Sequence, residues 1–225
     1  PRRVTAHIYV PERLPANPRI LVVMHGVRRA AGEYLNDWKH IADTRGVVLL
    51  APEFSRKEWP ENRHYSQGNI IAPDQESLRP VTAWSFTAME KAVEVTARLT
   101  GADGSQFFLY GHSAGAQFAH RYVMVTGGNR VLRAVAANSG WYMWPDEKIA
   151  FPYGTGRLQG HPWDWHSIFG TELTILVGAD DSDPNAENLR RTPKAMAQGG
   201  QRLERGLNFF AAARTSASKL GQTFR

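Results

Sequence analysis

The stretch Gln106-Phe107-Phe108-Leu109-Tyr110-Gly111-His112-Ser113-Ala114-Gly115 joins an apolar run to a helical pattern that continues to Val125, with a serine at the junction. Gly111, Ser113 and Gly115 spell G-x-S-x-G in the strand-turn-helix context that this motif needs. The turn is tight enough that side chains beside the serine would strike the strand or the helix. The strained backbone therefore lifts the Ser113 hydroxyl clear of the sheet as a candidate nucleophile. The N–H of Ala114, at the start of the helix, points to where negative charge collects on a tetrahedral intermediate, which makes it one half of an oxyanion hole. The other half is expected after an earlier strand, where Ile20 to Met24 runs into His25-Gly26-Val27 and Val27 offers the second N–H. His25 and His112 are read as structural neighbours of the site, because a catalytic base has to hydrogen-bond the nucleophile.

Working outward, short apolar runs alternate with longer helical patterns, the signature of a mainly parallel sheet with helices on both faces. Strands are expected at Thr5–Val10, Ile20–Met24, Val47–Ala51, Gln106–Tyr110, Ala134–Ala137 and Leu173–Val177. The unalternating run 20–24 fits a strand buried on both faces. Residues 31–45 carry a helical pattern that stops at Gly46. Residues 52–80 form a polar loop longer than a simple connection. A helix is expected from Val81, with Trp84, Ala88, Ala92, Val95 and Leu99 on its buried face and Pro80 near its start. The late helical sequence places Leu203, Leu207 and Phe210 at core spacing.

The 225 residues suit one α/β domain, and 42% hydrophobic with 21% charged residues argues for a packed core. There is no cysteine, which excludes disulfides, a thiol nucleophile and thiolate metal sites. No His-Glu-x-x-His pattern or ligand-spaced histidine cluster is present, so neither metal nor cofactor is expected. The net charge of +6 is scattered. The nearest thing to a cluster, Arg202, Arg205, Arg214 and Lys219, reads as a solvated helix face, and no nucleic-acid partner is assigned. No apolar run is long enough to span a bilayer. The sequence starts at Pro1, so it fixes no cellular address: periplasmic or secreted if a leader is removed, cytoplasmic otherwise. It does not fix the oligomeric state either.

A serine nucleophile needs a base, and the base needs an acid to hold its tautomer. With the chain order Ser, acid, His, the acid follows the strand Leu173–Val177, where Gly178-Ala179-Asp180-Asp181-Ser182-Asp183-Pro184 offers three aspartates. Asp181 is preferred for standing three residues beyond the strand-ending glycine, ahead of Asp183 and Asp180.

With Met24-His25-Gly26-Val27, Pro52-Glu53-Phe54-Ser55, Tyr65-Ser66-Gln67-Gly68-Asn69, Gly111 to Phe118 and Gly178 to Pro184, nearly the whole chain resembles the poly(3-hydroxybutyrate) depolymerase-like branch of bacterial α/β-hydrolases. Feruloyl and acetylxylan esterases look similar too. The resemblance implies an α/β-hydrolase fold and hydrolysis of a carboxylic ester, small or oligomeric, through an acyl-enzyme. It places the nucleophile on Ser113 and the acid on Asp181, and it implies a histidine base after the last strand. All eight histidines precede the acid loop, and Thr223-Phe224-Arg225 reads as the opening of a strand. The last strand and the base are therefore expected beyond Arg225. The alternatives are a non-catalytic binding protein that keeps the fold and a peptidase that uses the same elbow.

Residues 140–170 form an insertion that holds four of the seven tryptophans. Trp141, Tyr142, Trp144 and Trp163 are its candidate substrate-binding residues, read either as an apolar acyl or aryl pocket or as a satellite core. His161 and His166 lie within it and precede the acid, so they are weak candidates for the base.

Overall fold

A computed structural model describes residues 2–74 and 77–224. Its six-stranded sheet runs in the order β1-β3-β2-β4-β5-β6, with β1 (Thr5–Tyr9), β2 (Arg19–Met24), β3 (Val48–Glu53), β4 (Asp103–His112), β5 (Val131–Ala137) and β6 (Leu173–Leu176). All neighbours are parallel except β1, which runs antiparallel to β3 at one edge.

The central run 20–24 is buried on both faces, as its unbroken apolar sequence implies. Strand alternation divides it between two cores. Leu21 and Val23, with Leu49 and Ala51 of β3, pack under α1 (Ala31–Arg45) through Ala31, Leu35 and Ala42. Ile20, Val22 and Met24, with Val48 and Leu50, face the larger core on the other side. There they meet α2 (Ser85–Thr100), α3 (Ala114–Thr126) and α6 (Arg202–Lys219). Two short helices complete the chain, α4 (Trp165–Gly170) and α5 (Pro193–Met196).

Three expectations need correction. Val81–Ala83 is a 3-10 turn, and Trp84 is extended (φ −71°, ψ 145°), so α2 starts afresh at Ser85. Trp84 and Ala92 are buried as expected, but the rest of the buried face is turned from the expected stripe. Phe86, Met89, Val93 and Thr96 are buried at i, i+3, i+7 and i+10, whereas Val95 and Leu99 are exposed. In α6 the buried positions are Arg205, Gly206, Phe209, Ala213 and Ala217, while Leu207 faces solvent. Gly206 sets that face, because a Cβ there would lie 2.4 Å from Val177 Cγ1. Finally, Thr223 and Phe224 form no strand. Phe224 is buried edge-on against Phe169 and Phe209, and Arg225 lies outside the described residues.

The reading of Arg205 as part of a solvated face is also overturned. Its guanidinium is buried, and it donates to the carbonyls of Gly199, Gly140 and Arg190, each at 2.9 Å. Three good acceptors are what make burial of such a cation tolerable.

Candidate active site

Strands β2, β4, β5 and β6 end side by side, and the candidate residues come from the loops at these C-terminal ends. Ser113 has φ 56° and ψ −111°, a conformation that costs a non-glycine residue on the order of 1–3 kcal/mol. Its neighbours hold it there. The Ser113 N–H donates to Ala137 O of β5 at 2.9 Å, and its carbonyl accepts from Gln117 N at 3.1 Å. A Cβ on Gly111 would lie 2.1 Å from Gly115 O, and one on Gly115 would lie 2.1 Å from Met24 O. The strand, the helix and the end of β2 thus meet closely enough that only glycine fits at either position.

Ser113 is half-buried. With Gly26, Val27, Tyr34, Trp38 and His112 it lines a cavity of about 480 Å³. Among the described residues, neither the Val27 N–H nor the Ala114 N–H has a hydrogen-bond acceptor, and no side chain hydrogen-bonds the Ser113 hydroxyl. Val27 lines the same cavity as Ser113, and Ala114 follows Ser113 at the start of α3.

The Val27 loop is anchored from beneath. The buried His25 ring donates from Nδ1 to Gly26 O (3.0 Å) and accepts the Phe54 N–H at Nε2 (3.1 Å). That network assigns the neutral tautomer. Burial pushes the His25 pKa down to about 4, although the bond to Gly26 O works the other way. Tyr65 donates to His25 O at 2.7 Å, and the guanidinium of buried Arg29 lies 4.2 Å from the Tyr65 ring centroid while donating to Phe54 O and Trp59 O. Arg29 is a supporting residue that sequence reasoning missed, and its one visible signal was its place directly after the loop. His112 shares a 2.7 Å hydrogen bond with Tyr34 from its Nδ1, and burial lowers its pKa.

In the acid loop, Gly178 N donates to Asn138 Oδ1 and Asp181 N to Gly178 O. Of the three aspartates, Asp180 and Asp183 are exposed and Asp181 is half-buried. Asp183 accepts from Asn185 N at 2.8 Å, a local turn bond. Asp181 Oδ1 accepts from Arg202 at 2.8 Å, and its charge contributes to the raised pKa of Tyr142, which is due first to burial. Among the described residues no histidine hydrogen-bonds Ser113 or Asp181. His161 Nε2 meets Val125 O, and His166 meets Gln222.

None of the four candidate aromatics lines the Ser113 cavity. Trp141 is buried against the Tyr153 ring at 4.4 Å, with the Arg121 guanidinium 4.2 Å away on the ring. Tyr142 is buried and stacked on Phe209 at 4.7 Å and 14°. Trp163 stacks on Trp165 at 5.3 Å. Trp144 lines a different cavity. Buried His120 ties this region to α3, since its Nε2 accepts the Met143 N–H.

No family model matches the chain. Among solved structures, poly(aspartic acid) hydrolase-1 from Sphingomonas sp. KT-1 is 38% identical with a TM-score of 0.91, covering 98% of this chain and 83% of that one. LpqC, a poly(3-hydroxybutyrate) depolymerase from Bordetella parapertussis, is 30% identical with a TM-score of 0.87, covering 99% and 75%. Among curated proteins, feruloyl esterase B from Talaromyces funiculosus is 31% identical over 118 residues, which is 52% of this chain and 31% of that protein. The chain therefore spans about a third of the length of that relative. It belongs to the α/β-hydrolases, in their poly(3-hydroxybutyrate) depolymerase-like branch.

Proposed function

We propose that this chain is a serine hydrolase that cleaves carboxylic esters through an acyl-enzyme on Ser113. The observation that carries the proposal is the strained Ser113 backbone at a cavity it shares with Val27, with the N–H groups of Val27 and the adjacent Ala114 both without acceptors among the described residues. Strain held in place by close backbone packing is a recurrent feature of functional sites. In the proposed reaction, Ser113 Oγ attacks the ester carbonyl carbon and its proton passes to a base. The carbonyl oxygen becomes an oxyanion held by the N–H groups of Val27 and Ala114. Collapse of the intermediate expels the alcohol, and water then releases the acid and frees Ser113. Asp181 is the proposed acid of the triad, chosen for its spacing and for being the half-buried aspartate of the loop. No described histidine is assigned as the base.

The relatives' names suggest acyl groups to try: acetyl, feruloyl and 3-hydroxybutyryl. An ester panel of graded acyl size, aliphatic and aromatic, run on the full-length protein tests the reading. Ser113→Ala should lower turnover by a factor on the order of a million, as nucleophile removal does in a serine protease. Residual activity above a few per cent would remove Ser113 from the role.

A second reading, hydrolysis of an amide in an anionic chain, is favoured by two cations at the Val27 loop. Arg28 lines the Ser113 cavity, and Arg56 donates to Val27 O at 3.1 Å. Neither is in an ion pair among the described residues. Glu33 and Asp37 also line that cavity and oppose this charge. If the second reading holds, succinyl-bearing substrates will be cleaved faster than neutral ones, and added salt will erase the difference.

A further inference from the structure

A second cavity, of about 500 Å³, shares no lining residue with the one at Ser113. Its apolar wall is Trp144, Ile149 and Tyr153, and Lys148, Arg157 and Lys194 stand around it. Glu147 is the lone carboxylate among its lining residues. Among the described residues none of the three cations is in an ion pair. The Trp144 indole N–H is buried and has no acceptor among the described residues.

The walls are built rather than loose. Trp144 N donates to Tyr153 O at 2.9 Å, and Gly156 N donates to Ile149 O at 2.9 Å, so residues 144–156 fold back on themselves. A Cβ on Gly154 would lie 2.4 Å from Ile149 O, and one on Gly156 would lie 2.3 Å from Glu147 O. Tyr153 is fixed from behind by Arg190, which donates to its hydroxyl at 2.6 Å, and by the Trp141 ring. Arg157 is held at φ 65°, an uncommon conformation for a residue with a side chain.

An apolar wall and an excess of unpaired cations together describe a ligand with an apolar body and a carboxylate. We propose that this cavity binds an amphipathic carboxylate, its ring or chain against Trp144, Ile149 and Tyr153 and its carboxylate among Lys148, Lys194 and Arg157. The site is independent of the chemistry at Ser113.

Benzoate is the probe, followed by isothermal titration on the full-length protein, with neutral benzamide as its control. Replacing the exposed Lys148 and Lys194 together by Gln should weaken benzoate about tenfold, the scale of a charge-assisted hydrogen bond, and leave benzamide unchanged. Arg28→Gln, at the other cavity, should change nothing. The proposal fails if benzoate does not saturate, if its affinity is unchanged in the double lysine variant, or if Arg28→Gln alone weakens it.

Discussion

The serine elbow and the aromatic region that follows β5 adjoin each other, and they are held together by opposite means. At the elbow the contacts are backbone to backbone: Gly111 against Gly115, and Gly115 against Met24. In the aromatic region side chains do the holding, with Trp141 between Tyr153 and Arg121 and Tyr142 stacked on Phe209. Backbones this close leave no room for an added atom, since a Cβ on either glycine would fall 2.1 Å from a carbonyl oxygen, whereas a stack of rings tolerates exchange at a graded cost. The elbow should therefore break all at once, and the aromatic region by degrees.

The largest effect is expected at Gly115. Gly115→Ala puts a carbon where Met24 O already lies, so the protein should fail to fold or lose well over about 3 kcal/mol, measured by urea unfolding. Gly170→Ala, with nothing within 4 Å, is the control and should stay within about 0.5 kcal/mol. Similar losses at the two positions would abolish the contrast.

This difference in holding also explains what the sequence disclosed. The elbow was legible because backbone crowding restricts residue identity: Gly111, Ser113 and Gly115 are all but dictated by the turn. The run 20–24 was legible because burial on both faces suppresses alternation. Helix faces were misread where the cause lay outside the helix. Trp84 lies outside α2 and so does not mark that helix's buried face, and Gly206 let α6 approach Val177. Arg205 read as solvated because a sequence does not show that three carbonyls will converge on one guanidinium. The aromatics after β5 were legible as a group. Which of them pack inward depends on partners such as Phe209 and Arg190, which stand more than forty residues away in the chain.

Next in size is a test where the two regions meet. Asp181 lies close enough to Tyr142 to raise its pKa, and it is bound by Arg202. If Asp181 is the acid, Asp181→Asn should cut kcat about 10⁴-fold with little change in stability, while Asp183→Asn loses only a turn bond. Equal effects in steady-state kinetics would remove Asp181 from that role.

Trp141→Ala should destabilise by about 3–5 kcal/mol, the usual cost of emptying a large aromatic site, and leave the ranking of ester substrates unchanged. A shift in acyl preference without loss of stability would return Trp141 to the substrate pocket.

A smaller effect is expected from pH. The folded His25 has its pKa at about 4 against 6.5 for the unfolded chain, and buried His120 is shifted in the same direction. The unfolded state thus binds more protons between these values, so stability is full above about pH 6.5 and declines as pH falls toward 4. The lowered pKa of His25 corresponds to a loss on the order of 3 kcal/mol, read from melts across that window. Stability that stays flat from pH 7 to 4 would contradict the neutral, buried assignment of these rings.

The central claim is that the elbow presents an activated serine, and labelling by a fluorophosphonate tests it most directly, because the probe bonds only to a serine hydroxyl poised for attack. Intact-protein mass spectrometry on the full-length protein should show one adduct per chain, mapped to Ser113 and absent from the folded Ser113→Ala variant. An unlabelled protein, or an adduct that persists when Ser113 is replaced, would contradict the account.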